Sequence, residues 1–475
     1  MLQRYDIAVI GGGIVGNAIA RELSRYELNV LLIEKEIEVS FGTSKANSGI
    51  IHSGIHDSPI TLKGRLCLEG NVLWGKLSKE LRIPFNRVGE LLVARSSNDI
   101  SALNRLNENA KANGIHTEFM IGNKLKEIEP NLSLTITVAL LVPSAGVIPP
   151  YEMTYALYEN ACQNGVEYLL GSEVTAITRD GPGFVVRAGS REIKTGYVIN
   201  AAGVWADKVA RMAGAGSFVI KPRKGEEYLL DKRLNNINNH IIFPAPQPNS
   251  KGVLIIKTIE GSTMIGPTAE DTDDREDLTT TEAGLNNILD FVRTMVPGID
   301  KKDIIASFAG MRPVSDTNDF IIEESRSVPH FINAAGIQSP GLTAAPAIAQ
   351  MIVQILGQSS MRMEKKKGWK KYDRPHRRLT LLSNREKEAI LKLNKSYGNI
   401  ICRCETVSEA EVVDAINKGA RTVDGVKFRT RAGMGRCQAG FCTHHVMRIL
   451  SRELGIPEEK LTKRGGGSNM IEGKR

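Results

Sequence analysis

Four of the six cysteines in this 475-residue chain fall in two close pairs, Cys402-Arg403-Cys404 and Cys437-Gln438-Ala439-Gly440-Phe441-Cys442. Thiols grouped in this way suit a metal centre. Six cysteines spread over so long a chain could not knit a disulfide scaffold. Ser408-Glu409-Ala410-Glu411 has the form of a capping box opening a helix to about Lys418. Cys442 stands where a second helix, Thr443 to about Leu454, is expected to begin. A helix N-terminus favours a thiolate through its dipole and its unpaired N–H groups. Gly433, Gly435 and Gly440 would let backbone amides approach the sulfurs. Zinc and an iron–sulfur cluster both accept four thiolates, although structural zinc sites favour two or more residues between paired cysteines.

A second constellation lies far from the first in sequence. His52 sits in Ile50-Ile51-His52-Ser53-Gly54-Ile55-His56, a glycine-interrupted apolar loop. An imidazole titrating near ~6.5 can take the hydroxyl proton of an alcohol at neutral pH, so His52 is read as a base or substrate orienter. His56, beside Asp57, is expected at the surface. Arg312 lies in Phe308-Ala309-Gly310-Met311-Arg312-Pro313, and Lys251 precedes the strand-like Val253-Leu254-Ile255-Ile256. Both are candidate cations for a phosphate or carboxylate, the arginine fork matching either. Met311 is expected to pack.

These residues need elements to hold them. Asp6-Ile7-Ala8-Val9-Ile10 reads as a strand, Gly11-Gly12-Gly13-Ile14-Val15-Gly16 as a glycine turn, and Asn17–Tyr26 as an amphipathic helix. A second strand, Val30-Leu31-Leu32-Ile33, ends in Glu34. Strand, glycine turn, helix, strand and acid in that order form a dinucleotide cradle. Gly11 turns the chain, Gly13 admits a pyrophosphate, Gly16 lets helix and strand approach, and Glu34 accepts from ribose hydroxyls. The small polar loop Ser44-Lys45-Ala46-Asn47-Ser48-Gly49 would admit a bulky ring system, which favours FAD over NAD. Val198-Ile199-Asn200-Ala201-Ala202-Gly203 and Phe331-Ile332-Asn333-Ala334-Ala335-Gly336 look like two strand ends at one nucleotide edge. The second leads through Ile337-Gln338-Ser339-Pro340-Gly341-Leu342-Thr343 into an apolar helix, about Ala345–Leu356, whose N-terminus suits a flavin's ribityl-pyrophosphate arm or N1–C2=O edge. Asp180-Gly181-Pro182-Gly183 marks a hairpin, and Pro149-Pro150 introduces a helix near Tyr151–Asn164.

The N-terminal fingerprint, the Asn47–Ile55 run and the Gly336–Pro346 segment resemble the FAD-dependent D-amino-acid-oxidase superfamily, and within it the glycerol-3-phosphate dehydrogenase/oxidase branch, over about residues 5–357. The resemblance implies an α/β FAD-binding Rossmann-type domain (1–80, 196–216 and 326–360). Interleaved with it would be a mixed antiparallel β-sheet substrate domain (81–195 and 217–325, with some FAD-domain strands). It implies flavin contacts from Gly11, Gly13, Ile14, Val15, Gly16, Glu34 and Lys35, and from Ser44, Asn47 and Ser48. Further contacts are implied at Val174, Ala202, Gly203 and Trp205, and at Gly336, Gly341, Leu342 and Thr343. Ser339, with His52, Arg312 and Lys251, would line the substrate site. The cysteine region resembles the bacterioferritin-associated-ferredoxin type of [2Fe–2S] domain, which implies cluster ligation by Cys402, Cys404, Cys437 and Cys442 in a small, mainly helical domain at 396–475. The simplest members have two residues between the last cysteines; the four here match versions fused to flavin dehydrogenases.

Composition agrees with a globular enzyme: 41% hydrophobic and 24% charged residues, with 45 glycines for tight turns. The net charge of +9 is unevenly placed. Residues 1–361 hold 35 basic and 40 acidic side chains, net −5, and residues 362–475 hold 27 and 13, net +14. The basic run 361–395 is expected as a linker. Beside four thiolates this charge points to electron-transfer docking with an acceptor protein or quinone-linked subunit, at an anionic membrane face or subunit, rather than to nucleic acid. With no long apolar segment and a strand beginning almost at Met1, no spanning helix or signal peptide is expected, and the placement is cytoplasmic. The expected activity is FAD-dependent oxidation of glycerol 3-phosphate, a small phosphorylated polyol, with electrons leaving through the cluster. An L-2-hydroxyglutarate-like 2-hydroxyacid dehydrogenase and an FAD-containing electron-transfer subunit without turnover are the rivals.

Overall fold

The structure is a computed structural model that describes residues 4–246, 252–359, 361–372 and 378–473. The chain forms two compact units: Met1–Lys35 with Val39–Lys371, and Glu36–Glu38 with Tyr372–Arg475.

In the first unit, Arg4–Ile10 is a central strand, parallel to Val30–Ile33 on one side and Arg191–Asn200 on the other. Glu167–Leu169 and Phe331–Ala335 extend this parallel set at its two edges, and Ile321–Glu324 adds an antiparallel border. Val30–Ile33 and Phe331–Ala335 are buried at every position, which is why they read as unbroken apolar runs. The hairpin of Val174–Asp180 and Gly183–Ala188 turns at the Gly-Pro-Gly signal. Ile14–Leu23, Leu62–Leu81, Pro150–Gln163 and Gly341–Gln358 are helices that pack against one another. A Cβ on Gly70 would fall on the Thr343 carbonyl, so this glycine sets the close crossing of two of them.

The second sheet has nine strands. Ile220–Leu230 and Ile304–Ser315 form its longest antiparallel pair, with Gly225 opposite Gly310 and Arg223 opposite Arg312. Thr263–Gly266, Leu254–Lys257, Ile241–Pro244, Glu90–Ala94, Val138–Val142 and Glu118–Ile121 follow in spatial order. One pair, Ile241–Pro244 with Glu90–Ala94, is parallel, so the sheet is mixed. One face packs Tyr228, Ile242, Ile255 and Ile265 against Ile288 and Val292 of the Glu282–Arg293 helix. The other carries Leu92, Phe243, Ile256 and Met264 toward Ile50 and Ile55. The chain visits the two sheets alternately, so both belong to one unit.

The basic stretch expected as a linker is ordered in both its described parts. Trp369 stacks 4.0 Å from Arg25 and donates to Ser24, while Asn164 accepts from Lys370 N, so 361–371 belongs to the first unit. Asn384–Leu393 is a helix with a Ser383/Glu386 capping box in the second unit. That unit continues through the short strand Ile400–Cys402 to the helices Glu409–Asn417, Val423–Thr430 and Thr443–Leu454 around Val412, Ile416, Val426 and Leu450. Its Arg429 and Glu38 form a buried ion pair at 2.7 Å. Among the described residues no helix is long and apolar enough to cross a membrane.

Candidate functional site

The central strand of the first sheet ends at Ile10, and Gly11 turns with φ +112°; a Cβ there would fall on the Ala201 carbonyl oxygen. Gly16 faces the Gly11 carbonyl with no room for a side chain. Helix Ile14–Leu23 begins at Gly13, which offers no side-chain cap, and its first turn holds no acid. The Ile14 amide donates to Ser44 Oγ at 2.9 Å, and Glu34 accepts from the Gly12 amide. This bare, amide-lined helix start beside a carboxylate fits a dinucleotide pyrophosphate and ribose. Lys35 and Lys208 place their ammonium groups 4.8 and 4.5 Å from the Trp205 ring, beyond Ala202 and Gly203. Asn47 Oδ1 accepts from Gly49 N at 2.8 Å, Ser48 is half-buried, and Val174 sits in the sheet core with Ile10 and Ile33. Gly336 turns at φ +68° before the helix Gly341–Gln358, whose first turn again holds no acid.

His52 is fixed from three sides. Its amide donates to Thr343 Oγ1 at 3.0 Å, its carbonyl accepts from Asn71 Nδ2 at 2.8 Å, and Nε2 stands 3.4 Å from Ser339 Oγ. Trp74 Nε1 donates to the Leu342 and Thr343 carbonyls at 3.1 and 3.0 Å, holding the helix start that carries Thr343. Behind His52, the His56 ring stacks on Phe243 at 4.6 Å with Nε2 3.3 Å from Glu90 Oε2, and Ser53 Oγ donates to the same carboxylate. His56, expected at the surface, keeps only 7% of its side chain exposed because this buried acid draws it inward.

Arg312 enters from the second sheet. Cross-strand register puts it on the face that also carries Glu90, Phe243 and Glu227. On that face Gly310 meets Ala46 of the Ser44–Gly49 loop. The Arg312 Nη2 donates to the Thr268 carbonyl and lies where a Gly225 Cβ would be. Burial lowers the Arg312 pKa from its ordinary value, and Glu227 opposes that shift. Glu227 is 5% exposed, and burial pushes its carboxyl up to about 8 against the pull of Arg312. Lys251 lies outside the described residues.

In the second unit Cys402 and Cys442 are buried, Cys437 is half-buried and Cys404 is exposed. Cys404 Sγ and Cys437 Sγ are 3.7 Å apart, the separation of two thiolates each ~2.3 Å from one tetrahedral ion. A hydrogen bond from Cys442 lowers the Cys402 thiol to about 6 and pushes Cys442 upward. Gly435 abuts Cys404 Cβ, where a side chain would not fit. The sulfurs form two pairs, Cys404 with Cys437 toward solvent and Cys402 with Cys442 in the interior.

Residues 6–355 match the family described as FAD dependent oxidoreductase. The chain belongs to that family. Residues 400–452 match the BFD-like [2Fe-2S] binding domain, so this flavoprotein carries an iron–sulfur domain as well. Over 472 residues it is 44% identical to a glycerol 3-phosphate dehydrogenase of Caloramator mitchellensis, covering 99% of this chain and 98% of that one. An L-2-hydroxyglutarate dehydrogenase of Salmonella houtenae is 34% identical over 271 residues, 56% of this chain and 64% of that one. Among solved structures, FAD-bound L-alpha-glycerophosphate oxidase from Mycoplasma pneumoniae superposes with TM-score 0.75 at 31% identity, over 79% of this chain and 100% of that one.

The fold of this FAD dependent oxidoreductase brings His52, Ser339 and Thr343 together across almost the whole first unit. Sequence reasoning passed over Glu90, Asn71, Trp74 and Glu227. The available signal was an acid directly before an apolar run, Glu90 before Leu91-Leu92-Val93-Ala94 and Glu227 before Tyr228-Leu229-Leu230.

Proposed function

We propose that this chain oxidises glycerol 3-phosphate to dihydroxyacetone phosphate. What carries the reading is that its likeness to a glycerol 3-phosphate dehydrogenase extends through both units, cysteine region included. When bound, FAD supplies the two-electron acceptor for the substrate C2 hydrogen, and the [2Fe–2S] cluster a one-electron outlet. His52 Nε2 takes the C2 hydroxyl proton, and Ser339 Oγ, 3.4 Å away, holds the imidazole and the hydroxyl in line. Arg312 binds the phosphate, with Lys251 as a second cation. Thr343 and Asn71 keep the His52 backbone from drifting, which matters because a misplaced base loses much of its rate advantage. Cys402, Cys404, Cys437 and Cys442 hold the cluster. An electron-acceptor protein or quinone-linked subunit, met in the cytoplasm or at the inner membrane face, takes the electrons at the exposed Cys404 side. The FAD family match and the separate [2Fe-2S] domain support a division between substrate oxidation and electron exit.

Anaerobic mixing tests the reading. Glycerol 3-phosphate should bleach the oxidised-flavin band and 2-hydroxyglutarate should not. Bleaching by 2-hydroxyglutarate alone would assign the Arg312 pocket to a carboxylate and overturn the proposal.

A further inference from the structure

We propose that Glu227 is a substrate-binding acid: in its protonated form it donates a hydrogen bond to the phosphate oxygen that Arg312 does not reach, and so selects a phosphate monoester over a carboxylate. The inference rests on the phosphate-ester reading above and names the residue that would enforce it.

The geometry comes from strand register. Arg223–Arg312, Gly225–Gly310 and Glu227–Phe308 are three successive rungs of the Ile220–Leu230/Ile304–Ser315 pair with side chains on one face. Same-face rungs are spaced about 7 Å apart along a strand. The Arg312 guanidinium lies over Gly225, one rung toward Glu227, so about one rung separates the two side chains across a floor of two glycines. That gap suits a tetrahedral anion held from both ends. On the far side Gly266, opposite Glu227, brings no side chain. Glu227 Oε2 is buried and has no hydrogen-bond partner among the described residues. An isolated buried acceptor is costly, which leaves a ligand to satisfy it.

The charges around it decide its protonation. Arg312 faces it from the neighbouring strand, and Arg223, two rungs along its own strand, is paired with Asp271. Gly266 and Pro267 bring no ionisable side chain. Lys224 and Glu226 point to the opposite face, to Asp277 and to Tyr228 with Thr281. Burial outweighs the single cation, and the carboxyl titrates at about 8. At neutral pH it is a donor. A carboxylate ligand has two oxygens, both met by the arginine fork; a phosphate monoester has a third, and that oxygen needs the Glu227 proton.

The test uses full-length holoenzyme as wild type, Glu227→Gln and Glu227→Ala, with flavin content and melting temperature as folding controls. Wild-type KM for glycerol 3-phosphate should rise about tenfold per pH unit above 8, because binding then requires a proton. Glu227→Gln keeps a donor that does not titrate, so its KM should lose this alkaline rise. Glu227→Ala should raise KM about 10–100-fold at pH 7. Calorimetric titration with inorganic phosphate should follow the same order. Equal alkaline profiles for wild type and Glu227→Gln, or a Glu227→Ala KM within twofold of wild type, would overturn the proposal. A wild type that binds phosphate through Glu227 but is not bleached by glycerol 3-phosphate would sink the substrate reading and leave the Glu227 assignment standing; no phosphate heat in wild type would sink the assignment itself.

Discussion

At the scale of single residues, the site depends on His52 being held rather than merely present. Its amide, carbonyl and Nε2 each have a partner from a different segment, Thr343, Asn71 and Ser339. Removing the imidazole as base should therefore cost rate more than binding. His52→Asn is expected to slow flavin reduction by about 10²–10⁴-fold with little change in KM, read by anaerobic stopped-flow absorbance. A KM effect without a rate effect would make His52 a binding group only. His52 stood out in the sequence as a polar residue in a glycine-interrupted apolar loop, whereas Ser339 was singled out only through the family resemblance. Glu227 and Glu90 were not. Their meaning lies in which face of a strand they occupy and what lies opposite across the register, and a period-2 pattern alone does not assign a face to one acid among glycines.

At the scale of elements, the nucleotide cradle is the most legible part of the chain. Strand, glycine turn and helix follow each other locally, and each glycine has a steric reason that can be stated before any fold is known. The helix begins at Ile14, inside the glycine turn, rather than at Asn17, because Gly13 serves as N-cap. The nine-stranded sheet was legible only as a class, since its spatial order joins strands that are far apart in sequence. The cradle yields a sharp expectation. A Cβ at Gly16 would overlap the Gly11 carbonyl, forcing helix and strand apart. Gly16→Ala should leave the purified protein with less than about a tenth of its flavin, by absorbance of released FAD, while the second unit keeps its cluster signal. Loss of both signals together would mean general misfolding rather than a broken cradle.

For the molecule as a whole, charge divides the work. Residues 1–361 carry 35 basic and 40 acidic groups, whereas residues 362–475 carry 27 and 13. Part of the basic excess lies on the 362–371 segment of the first unit; in the cysteine unit Arg403, Arg436 and Arg448 are exposed, and Glu405 is buried against Arg431 at 2.9 Å. Phe441, 84% exposed next to Cys442, adds an apolar contact at the same edge. Long-range attraction of this kind governs encounter rates and is screened over about 10 Å at 0.1 M salt. A substrate gripped inside a buried pocket is screened far less. Raising salt from low to about 0.5 M should thus slow electron delivery to an acidic one-electron carrier protein about tenfold or more, with flavin reduction by substrate falling no more than about twofold. Charge reversal at Arg403 and Arg436 should reproduce the slow delivery at low salt and flatten its salt dependence. Equal salt sensitivity of the two half-reactions would place the basic surface outside the electron path, since a charge that steers only the acceptor cannot act on a step completed before the acceptor arrives.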